Sequence, residues 1–225
     1  MSTLAKKYKD FDRCVIIGNA PSINDIDLID LKTKAFTIGC NRCLDKFKPH
    51  AMLFVDRAPY WQQLGAMRPY IYNHNGILIL SDTIWNNKVN CRGEPVAPKF
   101  CEPFEEISVT TDGKERIPTF KFSDVFVSGP SIALILIQLA ASVGFKKIGM
   151  IGIDLVYKNN THFWGNGKKY GATPIEGHSL KRVLNILSII NKRAKSSNIN
   201  IYNLSNVDGP INNIFNKMQL GEFIK

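Results

Sequence analysis

The stretch that decides the fold is Cys14-Val15-Ile16-Ile17-Gly18-Asn19-Ala20-Pro21-Ser22, near the beginning of the sequence. Its four apolar residues include three β-branched ones, which is typical of a buried strand. They run directly into a glycine, which permits a tight bend, and into polar residues that precede a helix with free N–H groups. The pattern predicts a strand that ends in a phosphate-binding turn, although it is neither GxGxxG nor a Walker motif. An ordinary strand-to-helix turn with Ser22 as N-cap is the alternative.

The same pattern returns along the chain. Apolar runs at 35–38, 52–55, 77–80 and 148–151 each give way at once to polar residues, and 199–202 is a further apolar run. Amphipathic stretches separate these runs, which favours βα units and a parallel sheet. We therefore predict an α/β fold with a Rossmann-like, mostly parallel sheet, helices on both faces, and a ligand site at the carboxyl ends of the strands.

Two helices and two irregular segments complete this organisation. Ser128-Gly129-Pro130-Ser131 leads into an apolar helix that runs through Ala141 and stops at Gly144, and an amphipathic helix covers 178–194. The segment at about 84–125 carries several prolines and no helical period, and it is interpreted as an insertion of loops and short strands. A polar segment at about 156–177 predicts a mobile lid. We interpret residues 1–225 as one Rossmann-like domain.

Composition limits the class of protein. Hydrophobic residues make up 44% of the 225 residues and charged residues 21%, as in globular proteins. No run approaches the roughly 18 apolar residues of a membrane span, so no transmembrane segment is expected. The N-terminal residues lack the apolar core of a signal peptide, which favours the cytoplasm. The net charge of +10 favours anionic partners such as nucleotides, nucleic acid or a lipid surface, but an AT-rich genome also produces lysine bias.

The cysteines favour reduced thiols, because their number is odd and no export signal is present. The five are Cys14, Cys40, Cys43, Cys91 and Cys101. Cys40 and Cys43 have CxxC spacing, and the last two cysteines could complete a zinc site. The spacing of that second pair is wrong for a zinc knuckle, so small, partly buried residues are the preferred interpretation and no metal is expected.

Polar residues at the predicted strand ends are candidates for a ligand site. Asn41, Asp56 and Asp154 each follow a strand; a single residue of this kind is usually a cap, but three together favour a crevice. His178 opens a helix directly after the lid and is a candidate general base near neutral pH. In the lid, Tyr157, His162 and Tyr170 are candidate donors to a leaving phosphate, and Trp164 could stack on a ring or pack in the core.

Several short motifs occur together in a recognisable order. They are IIGNAPS (16–22), CNR (40–42), VSGPS (127–131), GIDLVY (152–157) and GHS (177–179). In this order the sequence resembles the bacterial family 42 sialyltransferases and their wider relatives, the motility accessory factor proteins and the MptE-like hydroxymethylpterin diphosphokinases. The resemblance spans roughly residues 14–205. It implies a single modified Rossmann domain with a lid, and an inverting, metal-independent reaction.

The resemblance also implies roles for individual residues. Gly18, Asn19 and Ser22 would form the nucleotide-contacting turn, Asn41 would lie near the donor phosphate, and Ser128 and Gly129 would form a cytidine-binding loop, with Asp154 in the strand-end GID. Tyr157 lies one position from the phosphate-binding tyrosine of the family, and His178 matches its proposed catalytic base. His162, Phe163 and Tyr170 compete for the second lid tyrosine. The sialyltransferases have asparagine at the position of Asp56, whereas the wider relatives tend to have aspartate there, as this sequence does.

The function indicated first is a nucleotide-sugar glycosyltransferase without a cofactor, using a CMP-sugar or related donor. Its acceptor hydroxyl would belong to a surface glycan or protein, or to hydroxymethylated bases of phage DNA. A pyrophosphokinase of the pterin type is the alternative; it would need ATP and Mg²⁺, held by carboxylates such as Asp56, Asp82 and Asp154. A non-catalytic nucleic-acid-binding module is a third hypothesis. An oligomer is compatible with each of them.

Overall fold

A computed structural model describes residues 10–81, 84, 106–109, 111–112, 117–121, 125–156, 161–165 and 174–225. Of the segments 106–109 and 111–112 it gives the backbone only. Some residues singled out in the sequence therefore lie outside the described residues. These are Asp82, Cys91, Cys101, Tyr157 and Tyr170.

The centre of the fold is a parallel sheet of eight strands in the order β10-β9-β8-β1-β2-β3-β4-β5. Every neighbouring pair in it is parallel. The bounds are β1 Arg13–Ile17, β2 Phe36–Cys40, β3 Ala51–Phe54, β4 Ile77–Ser81, β5 Glu106–Val109, β8 Lys147–Ile151, β9 Asn200–Asn203 and β10 Asn216–Lys217. Two short strands, β6 Thr111–Asp112 and β7 Phe126–Val127, form a separate parallel pair. The α/β prediction is confirmed.

Helices connect the strands. They are α1 Leu31–Lys34, α2 Arg57–Gln62, α3 Leu64–His74, α4 Ala133–Val143, α5 Gly177–Ser196 and α6 Leu220–Phe223. Short 3₁₀ helices occupy Pro21–Asp25, Cys43–Asp45 and Pro210–Asn213. No helix in the described part of the chain is long and apolar enough to cross a membrane.

Alternating residues of each strand feed two cores, one on each face of the sheet. In β1, Cys14 and Ile16 face the core formed with α4 and α5, whereas Val15 and Ile17 face the core formed with α1, α3 and α6. Because a strand turns successive side chains to opposite faces, a fully apolar strand indicates a sheet covered on both sides. The prediction of helices on both faces is therefore confirmed.

The predicted elements lie close to the observed ones, and β5 is an additional strand of the main sheet. The helix expected to stop at Gly144 ends there, because that glycine adopts φ +115° as the left-handed C-cap. The segment expected as an insertion at 84–125 contributes β5, which extends the main sheet beside β4, and β6 of the small pair. Gln138 of α4 fixes β7, the partner of β6. Its side-chain amide donates to the Val127 carbonyl at 2.9 Å and accepts the Val127 N–H at 3.1 Å.

Candidate active site

A cavity of about 510 Å³ lies at the carboxyl ends of β1, β2, β3 and β8, and we call it the crevice. The loop before α4 and the segment 161–165 form its other walls. Its polar and charged lining residues are Asn19, Asn41, Asp56, Ser128, Ser131, Asp154, Thr161 and His162. The crevice therefore brings together most of the strand-end residues that the sequence singled out, as expected at the carboxyl edge of a parallel sheet.

Two tight turns meet at the base of the crevice. The Gly18 N–H donates to the Ile151 carbonyl at 2.8 Å, and the Ala20 N–H donates to the Gly152 carbonyl at 2.9 Å. A Cβ on Gly18 would lie 2.1 Å from that Gly152 oxygen, far inside van der Waals contact. Gly152 itself adopts φ +68°. Glycine at position 18 is thus required by the neighbouring turn, whether or not a phosphate also approaches it.

Asn19 and Asn41 line the crevice, and each carries a buried side-chain oxygen without a partner among the described residues. The Asn19 amide nitrogen donates to the Cys40 carbonyl at 3.1 Å and contacts the Cys40 sulfur at 3.3 Å, which fixes the orientation of the amide. Asn19 Oδ1 and Asn41 Oδ1 are buried and have no hydrogen-bond partner within the described part of the chain. Because a buried acceptor without a partner is costly, these two oxygens indicate a place for ligand or solvent donors.

Asp154 is held in place from below. It is 4% exposed, and the Ser22 hydroxyl donates to its Oδ1 at 2.6 Å while the Ser22 N–H donates to its Oδ2 at 3.3 Å. The Ser22 hydroxyl also lies 3.1 Å from that of Ser205, which accepts the Gly152 N–H. The N-cap interpretation of Ser22 is wrong: Ala20 is the N-cap, and Ser22 lies inside the 3₁₀ helix. Ser22 is 1% exposed, behind Asp154 rather than on the crevice wall.

The starts of α2 and α4 form two further walls of the crevice. Asp56 is the exposed N-cap residue of α2 and makes no side-chain cap hydrogen bond. Ser128 and Gly129 line the crevice just before α4, and the first residue of α4, Ala133, lines it too. The positive end of this helix therefore lies beside the crevice. Among the described lining residues, the charged side chains are both aspartates, and no lysine or arginine occurs.

The segment 161–165 forms the upper wall and rests on the first turn. The Phe163 N–H donates to the Asn19 carbonyl at 2.9 Å. The ring of His162 stacks on Trp164, with centroids 4.4 Å apart, and the Arg42 guanidinium lies 5.7 Å from the centre of the Trp164 ring. Burial lowers the pKa of His162, which favours the neutral imidazole. Trp164 thus packs on a histidine of the crevice wall rather than deep in the core.

His178 does not lie in the crevice. It is the second residue of α5 and is exposed, whereas Ile175, just before the helix, lines the crevice. The structure therefore brings Asn19, Asn41 and Asp154 together without His178. Tyr157 and Tyr170, the other two lid candidates, lie outside the described residues.

The cysteines in the described residues are free and buried. Cys14, Cys40 and Cys43 are each fully buried and make no disulfide. Burial raises the pKa of the Cys40 thiol to about 12, although this sulfur lies beside the crevice. Among the described residues, no three His, Cys, Asp or Glu side chains are grouped so that they could hold a metal ion.

Sequence reasoning missed several lining residues. Ser131 and Thr161 line the crevice, and the Ser131 hydroxyl accepts the Ala133 N–H at 3.3 Å. Ser131 ends the VSGPS motif and directly precedes α4, so its position beside a helix N-terminus was a usable signal. Thr161 follows four residues whose placement is not described, and no pattern in the sequence marks it.

Two solved structures share the fold of this chain. The match to an α-2,3-sialyltransferase from Campylobacter jejuni in its apo form covers 93% of this chain and 80% of that one. The TM-score is 0.50 and the identity is 18%. The match to a mutant of the α-2,3/8-sialyltransferase CstII covers 91% of this chain and 86% of that one, with the same TM-score and 18% identity. At this identity the likeness shows a shared fold. No curated protein matches the sequence.

A family assignment comes from the sequence itself. The family described as 6-hydroxymethylpterin diphosphokinase MptE-like matches residues 1–160. This range contains β1 to β8, the Gly18 and Gly152 turns, and Asn19, Asn41 and Asp154. On this match the chain belongs to the family described as 6-hydroxymethylpterin diphosphokinase MptE-like.

Proposed function

We propose that this chain is a nucleotide-sugar-dependent glycosyltransferase that transfers a sugar from a CMP-linked or related donor to an acceptor hydroxyl, with inversion and without a metal ion. The observation that carries the proposal is the crevice at the strand ends, two of whose lining residues, Asn19 and Asn41, carry acceptor oxygens without a partner among the described residues. Ribose hydroxyls and exocyclic base amines are the donors that a nucleoside offers to such oxygens. A crevice of about 510 Å³ is within the size range of small-molecule sites.

The phosphate end of the donor would lie towards α4. The start of α4, with Ser128 and Gly129 beside it, suits an anion better than the two aspartates do, because the helix dipole is positive there. His162 would donate a hydrogen bond from its neutral ring to the phosphate as it leaves. The acceptor oxygen attacks the anomeric carbon, the bond from that carbon to the phosphate oxygen breaks, and the hydroxyl proton passes to a base.

The base and the acceptor remain proposals from the family resemblance. His178 keeps the role of general base, which requires it to approach the crevice from its exposed position at the start of α5. Tyr157 and Tyr170 keep their roles beside the leaving phosphate. A glycan, a protein or a hydroxymethylated DNA base can each supply the acceptor hydroxyl.

Ligand-induced stabilisation tests the proposal. Thermal unfolding is measured with CMP, CDP, UDP, GDP, ADP and ATP, each with Mg²⁺ and with EDTA. A nucleotide at 100 times its dissociation constant adds about 2.7 kcal/mol, which raises the Tm of a domain of this size by roughly 5–11 °C. We expect stabilisation by a sugar-carrying nucleotide in EDTA. Failure of every such nucleotide in EDTA contradicts the proposal.

A matched pair of variants tests the two oxygens. Asn19→Ala removes one acceptor and should weaken nucleotide binding by roughly 2- to 13-fold, which corresponds to one hydrogen bond of about 0.5–1.5 kcal/mol. Asn185→Ala, on the exposed face of α5, removes the same group away from the crevice and should leave binding unchanged. Equal affinities for the two variants would show that the nucleotide does not use Asn19.

A diphosphokinase is the second candidate, and two observations favour it. The family description names that activity. The charged side chains among the described lining residues are Asp56 and Asp154, and oxygen ligands of this kind suit Mg²⁺. Together with Asn19 Oδ1 they could hold the ion, which would balance the charge of a triphosphate. The chain itself would orient the acceptor hydroxyl for attack on the β-phosphorus of ATP, with AMP as the leaving group.

The nucleotide panel separates the two candidates. Stabilisation by ATP that requires Mg²⁺ and disappears in EDTA favours the diphosphokinase. Asp56→Asn and Asp154→Asn would then weaken ATP binding in Mg²⁺, because each removes a negatively charged oxygen ligand. In the glycosyltransferase, EDTA has no effect and CMP or a related nucleotide stabilises the protein.

A further inference from the structure

Half of the net charge of this protein lies on one helix. The sequence of α5 carries Lys181, Arg182, Lys192, Arg193 and Lys195 and no acidic residue, so its 20 residues contribute five of the ten net positive charges. Its last turn contains Arg193 and Lys195, where cations favour the helix dipole. That effect does not account for Lys181 and Arg182, which lie in the second turn.

Three of these five charges, those of Lys181, Lys192 and Lys195, lie on the outer face of α5. The inner face packs into the core through Val183, Leu187, Ile190 and Ala194, which are all buried. The opposite side carries a row of exposed polar residues at helical spacing, which we call the outer stripe. The outer stripe consists of Lys181, Asn185, Ser188, Lys192 and Lys195. From its first to its last residue it extends about 21 Å at 1.5 Å per residue.

The lysines of the outer stripe have no carboxylate partner among the residues that the structure describes. Within the described residues, no ion pair involves Lys181, Lys192 or Lys195. At its C-terminal end the outer stripe continues into Lys146, whose ammonium donates to the Ser197 carbonyl at 3.2 Å. Unpaired like charges on one helix face repel one another, and a polyanion would relieve that repulsion.

The N-terminal end of α5 adjoins the crevice. Ile175, two residues before the helix begins, lines the crevice. Ile186 of α5 lies about 4.0 Å from where a Cβ on Gly129 would be, and Gly129 also lines the crevice. A polymer lying along the outer stripe would therefore reach the crevice mouth at one end.

We propose that the outer stripe of α5 binds the phosphodiester backbone of a nucleic acid that presents the acceptor hydroxyl to the crevice. This acceptor assignment rests on the proposed function, whereas the binding itself does not. The three lysines of the stripe are spread over about 21 Å, a length of duplex that carries about 12 phosphate charges at one per about 1.7 Å of its axis, so each lysine can reach a phosphate. An anionic membrane fits less well, because a membrane-surface helix inserts its apolar face, and the apolar face of α5 is buried in the core.

Fluorescence anisotropy with a labelled DNA duplex of about 20 base pairs, and with the RNA duplex of the same sequence, tests the proposal over about 50–200 mM NaCl. The variant is the triple substitution Lys181→Gln/Lys192→Gln/Lys195→Gln. Its control is Lys34→Gln/Lys46→Gln/Lys48→Gln, which removes three exposed lysines near residues that pack on the other face of the sheet. Both sets lower the net charge from +10 to +7 by removing three lysines.

We expect the wild type and the control to bind with the same steep salt dependence. The α5 variant should lose about 2.7 units of the slope of log K against log salt, at about 0.9 for each lost phosphate contact. Equal weakening by both variants would show that net charge alone acts and would overturn the proposal. So would binding to phosphatidylserine vesicles without binding to either duplex.

The nucleotide panel, repeated on the α5 variant, separates this proposal from the proposed function. Unchanged nucleotide stabilisation together with lost duplex binding supports a distinct acceptor surface. If the duplex binds through α5 but no nucleotide stabilises the protein, the nucleic-acid-binding surface is supported and the glycosyltransferase proposal is contradicted. Preference for one duplex over the other identifies DNA or RNA as the source of the backbone.

Discussion

Replacing Ser22 with alanine should destabilise the protein through Asp154. The Ser22 hydroxyl donates to Asp154 Oδ1 at 2.6 Å, and Asp154 is 4% exposed, so little water can replace the lost donor. A hydrogen bond to a charged group contributes about 1.5–3 kcal/mol. For a domain of this size the Tm should fall by about 3–12 °C, at roughly 2–4 °C per kcal/mol.

A double-mutant cycle isolates this interaction. Urea unfolding is measured for the wild type, Ser22→Ala, Asp154→Ala and the double variant, and the coupling free energy should be about 1.5–3 kcal/mol. Ser142→Ala is the matched control, because its hydroxyl donates at 2.8 Å to the uncharged Leu139 carbonyl. That control should cost about 1 kcal/mol or less. A coupling near zero, or a control as costly as Ser22→Ala, would refute the reasoning.

Three further predictions concern the crevice walls. Gly18→Ala should cost at least about 1–3 kcal/mol of unfolding free energy, because its Cβ meets the Gly152 carbonyl. Gly65→Ala, where a Cβ meets nothing, should instead stabilise by about 0.4–1 kcal/mol; two equal losses would contradict this explanation. Burial lowers the pKa of His162, so the unfolded chain binds a proton first as the pH falls below 6.5, and stability should then decrease. His162→Phe should flatten that decrease in urea unfolding at low pH, and an unchanged profile would count against it. Burial raises the pKa of Cys40 to about 12, so iodoacetamide should leave this thiol unmodified in the native protein and alkylate it in urea, as peptide mass spectrometry can show. Rapid native labelling of Cys40 would contradict its burial.

The sheet and the position of the site could be predicted from local patterns. Apolar runs such as Val15–Ile17 carry their own strand signal, and the residues that follow them must gather at one edge once the sheet is parallel. This is why Asn19, Asn41, Asp56 and Asp154 could be assigned to one crevice before any contact between them was known. All four line it.

The contacts between distant segments could not be predicted. Ser22 looked like an N-cap because caps are read from neighbouring residues, whereas its partner Asp154 lies 132 positions away. His178 was favoured by its place at a helix start and by the resemblance, but the sequence does not say which way the first turn of α5 points. The interpretation of 84–125 as loops and short strands does not locate β5, because four residues carry too little periodicity to show where a strand begins or which strand it joins.

The pairing of β1 with β8 has a consequence for how the chain folds. Arg13 pairs with Lys147, so this interior pair of the sheet joins residues more than 130 positions apart. Such a contact closes late, because the entropy of a long loop must be lost first. During synthesis β1 waits with one open edge until β8 has left the ribosome, and an unpaired apolar edge is prone to aggregation. Fragments that stop before residue 147 should therefore depend on chaperones, even if β1 to β4 pair with one another in them.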